Sequence, residues 1–245
     1  MNRGLGSSIA AALASVLLAF GLASTGAHAA TSTSLVSSES GITADGKIDW
    51  GVKGAEGTTV NQPFTIAVPN VSGLEVTVSQ FSGPFLRLDQ SSPGLWLGNF
   101  APGDKLLSTK ADVGATGPVS LVFNSPVQGV GAQIQAFSSG SFTASIEAFN
   151  SSNASLGSFT LDGNSNAKAD NSAIFIGILS NAVDISKVVF GVPVATGNLQ
   201  DFLINGPRVQ VTPVPEPEAY AMLMAGLGLL GFIARRRRKS LNAAA

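Results

Sequence analysis

Short runs with a period of two set the pattern of the chain between about residue 60 and residue 211. Leu74, Val76 and Val78 alternate with Glu75, Thr77 and Ser79. Ala132, Ile134 and Ala136 alternate with Gln133 and Gln135, and Phe142, Ala144, Ile146 and Ala148 with Thr143, Ser145 and Glu147. A strand turns successive side chains to opposite faces, so the apolar set of each run is expected in a core and the polar set in water. Further strand candidates are 64–68, 95–99, 119–123, 156–161, 185–190, 200–205 and 208–211. Residues 173–179 are apolar almost throughout, which predicts a central strand covered on both faces. Gly, Asn, Ser, Asp and Pro cluster at 150–153, 162–166, 180–182 and 191–197, where turns are expected. About a dozen short strands with regular turn punctuation predict an all-β fold, a two-sheet antiparallel sandwich of jelly-roll type.

Two segments depart from this period. Near the start, Arg3 precedes an apolar run over residues 9–22, and Ala27-His28-Ala29 supplies the small-x-small pattern after which signal peptidase cuts. Near the end, residues 219–234 carry no charge and are followed by Arg235, Arg236, Arg237, Arg238 and Lys239. Sixteen residues of helix span about 24 Å, slightly less than the ~30 Å hydrocarbon core of a bilayer. Five consecutive cations are expected on the cytoplasmic side, which places everything before the helix outside. Pro215 and Pro217 flank Glu216, lack backbone donors and hold the approach to the helix extended. The chain therefore divides into a signal peptide (1–29), an exported β-sandwich domain (30–211), a Pro-rich linker (212–218), a transmembrane helix (219–234) and a basic cytoplasmic tail (235–245). Gly226, Gly228 and Gly231 spell G-x-G-x-x-G inside that helix, but neither the preceding strand nor the following acidic residue of a dinucleotide site is there. Small residues at those places suit close helix packing in a membrane.

Composition narrows the chemistry. The chain has no cysteine, its one histidine is His28 in the leader, and its one tyrosine is Tyr220 in the apolar tail. The exported domain therefore cannot host Ser-His-Asp or Cys-His catalysis, thiolate metal sites or imidazole-bound metals. Without the leader and tail it carries eight basic and thirteen acidic residues, a net charge near −5 that argues against nucleic acid. A glycosidase pair would need two carboxylates roughly 5–10 Å apart in a cleft. Sequence places no pair of Asp45, Asp49, Glu56, Glu75, Asp89, Glu147 or Asp184 in that way, and no enzymatic activity is expected.

Val214-Pro215-Glu216-Pro217, a short apolar helix and a terminal arginine cluster resemble the PEP-CTERM sorting signal of Gram-negative bacteria. The resemblance implies recognition of Pro215, Glu216 and Pro217 by an exosortase, a membrane-embedded cysteine transpeptidase-like enzyme, with Arg235, Arg236, Arg237 and Arg238 as the retention stop. It implies a stay at the inner membrane and delivery to the cell surface or an exopolysaccharide matrix. An ordinary C-terminal membrane anchor is the alternative. In the body, Asp49-Trp50-Gly51, Trp96–Phe100, Val127–Ala132, Phe175–Ile178 and Asp201-Phe202 resemble blocks of exported PEP-CTERM proteins, whose sandwiches are often compared with carbohydrate-binding modules.

Two constellations in the body admit a ligand. Asp162, Asn164, Asn166 and Asp170 present carboxylate and amide oxygens in the manner of a structural Ca²⁺ site, although the second and third carboxylates and the terminal Glu of a calcium loop are missing. The same residues also suit a hairpin turn. Trp50 and Trp96 are candidate sugar-stacking platforms at a cell-surface glycan site, or else core and rim residues. Asn70, Asn150 and Asn153 open N-x-Ser sequons, read as chance in a Ser- and Asn-rich chain.

Overall fold

A computed structural model describes residues 31–90, 95–110, 116–195 and 200–212, together with Met224 and Leu227. The expected leader with Ala27 and Ala29, the tripeptide Pro215, Glu216 and Pro217, and the cations Arg235 to Arg238 lie outside the described residues. The apolar stretch 219–234 does too, except for Met224 and Leu227, which are helical and exposed. Among the described residues no helix is long and apolar enough to cross a membrane.

Strand is the main regular structure of the described residues. In order these are β1 (Thr33–Val36), β2 (Gly46–Lys47), β3 (Thr59–Val60), β4 (Phe64–Ala67), β5 (Glu75–Ser82), β6 (Phe85–Asp89), β7 (Lys105–Ser108) and β8 (Thr116–Val127). They continue with β9 (Gly129–Ala136), β10 (Gly140–Phe149), β11 (Ser155–Ser165), β12 (Ile174–Ser180), β13 (Ile185–Ala195), β14 (Phe202–Asn205) and β15 (Arg208–Gln210). The first sheet runs β1-β12-β9-β14-β7-β6-β3, with β15 also on β9 and β2 on β15; the second runs β11-β10-β13-β8-β5-β4. Each neighbouring pair is antiparallel.

The predicted alternation puts one face of each sheet into a shared core. Val76 and Val78 of β5, Leu121 of β8, Ile146 of β10 and Phe190 of β13 meet Ala132 and Ile134 of β9, Ile176 of β12, and Phe202 and Ile204 of β14. The expected central strand is β12, hydrogen-bonded to β1 on one side and β9 on the other, with Phe175 to Ile178 buried.

The first sheet has a second covered face, which changes several expectations. Gln133 and Gln135 are not in water: they are 4% and 2% exposed, because residues 95–101 and 166–173 lie across the outside of β9. Leu88, Phe100, Leu106, Ala173 and Leu203 form a small outer core under these connections, joined by Trp96 and Phe137. Residues 95–99 are accordingly a covering loop rather than a strand. Residues 162–165 are strand rather than turn, pairing with Gly140 to Thr143, and β13 runs on through Ala195 where a turn was expected.

Strands β14 and β15 follow one another along one edge of β9, and their junction shows how the chain is steered to its exit. Gly206 sits so close to the neighbouring backbone that a Cβ would lie 1.8 Å from the Ile48 carbonyl oxygen, which only glycine avoids. Where the ladder breaks, the Asn205 side chain replaces it, accepting from the Gln133 N–H at 2.9 Å and donating to Gln133 Oε1 at 2.8 Å.

Candidate functional site

The strand that leads into the Pro-rich linker is locked to the domain up to its last described residue. The Asp45 N–H donates to the Val209 carbonyl at 2.9 Å. Its carboxylate accepts from the N–H of Val211 at 2.7 Å, the N–H of Thr212 at 3.1 Å and the Thr212 hydroxyl at 3.1 Å. Gln210, 1% exposed, fixes the same segment from within: Oε1 accepts from the Thr43 N–H at 3.0 Å, and Nε2 donates to Gln128 Oε1 at 3.0 Å and the Thr212 carbonyl at 3.2 Å. Burial alone would raise the Asp45 pKa, but the donors on Val211 and Thr212 outweigh it and hold the carboxyl below its ordinary value of 3.8. In sequence Asp45 stands only among carboxylates that no pairing assigns to a cleft. Nothing local to residue 45 announces a partner more than 160 positions away.

Trp50 is not a sugar platform. It is fully buried, with its ring edge-on to Phe64 at 6.3 Å and 87°, and it opens a 3-10 turn (Trp50–Lys53) capped by Asp49, whose Oδ1 accepts from the Gly51 N–H at 2.7 Å. Its indole N–H finds no acceptor among the described residues. Trp96 is half-buried on the outer core, 6.1 Å from Phe100 and 6.4 Å from Phe137, with Leu95 and Leu97 exposed on either side. The ring lies over Gly98, where a Cβ would come within 1.9 Å of it. The Lys110 ammonium lies 5.0 Å from the Phe137 ring centre and 3.8 Å from Asp201 Oδ2.

The oxygen-rich constellation separates into two parts. Asp162 and Asn164 stand on the exposed face of β11, and Asp162 accepts from the Thr143 hydroxyl at 2.7 Å. Asn166 and Asp170 are brought together, but around an amide donor. Asn99 Nδ2 donates to Asn166 Oδ1 at 2.7 Å, Asp170 Oδ1 at 3.2 Å and Ser172 Oγ at 2.8 Å. The orientation of that amide is fixed by its other end, since Asn99 Oδ1 accepts from the Asn166 N–H at 2.7 Å. The Ser172 hydroxyl and then the Asn99 amide hold the Asp170 carboxyl below its ordinary value. Among the described residues no three His, Cys, Asp or Glu side chains come together as a metal set.

Three further carboxylates have defined partners. Asp89 lies between Arg87 and Lys105; burial opposes its ionisation, and the two cations more than compensate, so its pKa is lowered. Glu56 accepts from the Leu95 N–H and Glu147 from the Ser155 hydroxyl. A trough of about 240 Å³ crosses the outer face of the second sheet, between Pro118, Ser145, Glu147, Gly191 and Gln200. An open depression of about 710 Å³ lies between Glu39, Asp162, Asn171 and Phe175.

Comparison with known proteins places the tail directly after the clamped strand. The chain carries a PEP-CTERM protein-sorting motif over residues 213–239. That motif supports exosortase-dependent export and membrane-associated sorting. No curated protein matches the chain in sequence. Among solved structures, a DUF4465 family protein from Bacteroides caccae aligns at 14% identity and a TM-score of 0.36, covering 74% of this chain and 99% of that one. CsCBM6-3 from Clostridium stercorarium, in complex with cellobiose, aligns at 10% identity and a TM-score of 0.31, covering 64% and 99%. The CBM22-1 xylan-binding domain from Paenibacillus barcinonensis Xyn10C aligns at 10% identity and a TM-score of 0.16, covering 65% and 99%.

Proposed function

We propose that this protein is a non-enzymatic component of the cell surface or extracellular matrix. Its jelly-roll-like sandwich is exported behind an N-terminal signal peptide and held at the inner membrane by the 219–234 helix. An exosortase then recognises and processes it at Pro215, Glu216 and Pro217. The observation that carries this reading is the sorting motif at 213–239, which begins at the residue after Thr212, itself locked to the domain. The stiff Pro-Glu-Pro segment is offered at the outer membrane face, and the cations from Arg235 onward keep the end of the chain on the cytoplasmic side. The experiment is fractionation of cells expressing the Glu216→Gln, Pro217→Ala double variant. The variant stays in the inner-membrane fraction while the parent is released; equal release of both refutes the role of the tripeptide.

A second reading concerns the sandwich itself. Trp96 is half-buried beside Phe137, with a cation at that ring, and aromatic faces of this kind stack on sugars. On this reading the body binds exopolysaccharide through that edge. A glycan array of the parent and Trp96→Ala separates the two: binding lost in the variant supports a glycan site, and no binding by the parent leaves the structural role.

A further inference from the structure

The distance between the folded domain and the sorting tripeptide is limited by covalent chain, and that chain is short. Thr212 is held by Asp45 through its N–H and hydroxyl, and by Gln210 through its carbonyl. Only Pro213 and Val214 separate it from Pro215. Even fully extended, the Pro215 Cα stands within about 11 Å of the Thr212 Cα. From Thr212 to Ala219, where the apolar segment starts, the reach is at most about 25 Å. A membrane-embedded enzyme that closes around residues 215–217 therefore has Thr212 and the sandwich within about 11–18 Å of its active site.

We propose that Asp45 is a positioning residue for tail processing: by holding Val211 and Thr212 against the domain it limits how far from the domain the sorting tripeptide can reach, and processing proceeds through transient release of this clamp. The proposal rests on the reading of the tail as an exosortase substrate. Without the Asp45 carboxylate the next firm hold is Gln210, anchored on Thr43 and Gln128 and paired with Gly129. Val211 and Thr212 then keep only the packing of the Val211 side chain on the core and the Gln210 bond to the Thr212 carbonyl, and their release lengthens the free segment by about 7 Å. Opening of this kind, confined to the end of a terminal strand, belongs to the low-cost fluctuations of a folded domain. The sandwich acts as a stop at a fixed distance, and Asp45 sets that distance.

The test follows the full-length chain in cells that carry the processing enzyme, by pulse-labelling and the loss of the unprocessed form. Four variants are compared with the parent: Asp45→Ala, Asp45→Asn, an insertion of six Gly and Ser residues between Thr212 and Pro213, and the insertion combined with Asp45→Ala. Asp45→Ala and the insertion each shorten the half-time by about threefold or more, Asp45→Asn falls between them and the parent, and the combination is no faster than the insertion alone. The insertion leaves every contact of Asp45 in place, so a merely structural role would not move its rate. An insertion variant processed at the parental rate or slower overturns the proposal, even if Asp45→Ala is faster, because the gain would then come from local unfolding. The underlying reading fails separately: if the parent is not shortened, or if Glu216→Gln with Pro217→Ala is processed at the parental rate, the tail is not the substrate and the proposal falls with it.

Discussion

Replacing Asn99 tests whether the polar layer on the outer face of β9 is built as an amide-centred knot. Asn99 is fully buried, its Oδ1 satisfies the Asn166 N–H, and its Nδ2 serves Asn166, Asp170 and Ser172. In Asn99→Ala the Asp170 and Ser172 groups, which are exposed, turn to water, whereas the half-buried Asn166 N–H loses its acceptor. The stranded Asn166 donor costs about 1–3 kcal/mol. For a domain of this size that lowers the melting temperature by about 6 °C. Asn99→Asp keeps the acceptor for Asn166 but turns a second oxygen toward the Asp170 carboxylate, so it is less stable than Asn99→Ala at neutral pH and recovers on acidification. The assay is thermal unfolding of residues 31–212 followed by circular dichroism, with and without millimolar Ca²⁺. An Asn99→Ala melting temperature within about 1 °C of the parent refutes the energetic argument. Stabilisation of the parent by Ca²⁺ that grows in Asn99→Asp would place a cation where the amide was assigned.

Trp50→Ala removes a fully buried indole from the main core and costs about 3–5 kcal/mol, while Trp50→Phe costs much less, because the indole N–H has no acceptor to lose; equal destabilisation of the two in urea melts would contradict that packing. Acid should loosen the exit strand. Asp45, Asp89 and Asp170 all have folded-state pKa values below the ordinary 3.8, so each contributes stability that is fully present above that value and is lost as pH falls through the folded value. Melting temperature is therefore flat from about pH 7 to 5 and falls below about pH 4, and Asp45→Asn has a shallower fall; a parent curve unchanged down to pH 3 would refute the sign.

What sequence made legible follows from how many faces of each strand meet water. Strands β5 and β10 lie in the second sheet with one face in solvent, and their alternation of Val with Thr or of Ile with Ser reads directly as strand. Strand β9 shows the same alternation but is buried on both faces, so Gln133 and Gln135 looked like solvent residues although they are the hydrogen-bonding face of an inner layer. The connections that cover them are irregular, and no period marks residues 95–101 or 166–173. Turn-like composition misled at 162–165, where Asp162-Gly163-Asn164-Ser165 pairs across to β10 and Gly163 makes room for the Phe142 ring. Strands β1, β2, β3 and β7, two to four residues long, do not stand out in sequence, although the equally short β4, β14 and β15 do, and β6 hides a buried Arg87 within its five.

The candidate site divides in the same way. The tail was legible because order, spacing and charge all lie within about thirty consecutive residues. The Asp45 clamp was not, because its two halves come together only through the pairing of β2, β15 and β9. Trp96 could be placed at a rim by its neighbours Leu95 and Leu97, whereas the burial of Trp50 depends on Phe64, fourteen positions away.

On the proposed function the C-terminal segment is a sorting label removed on the way out. Intact-mass and C-terminal peptide mass spectrometry of the protein recovered from the cell surface or medium reads this out. The recovered chain is expected to end before Ala219 and to lack Arg235 to Lys239. A surface form that retains those five cations rules the label out.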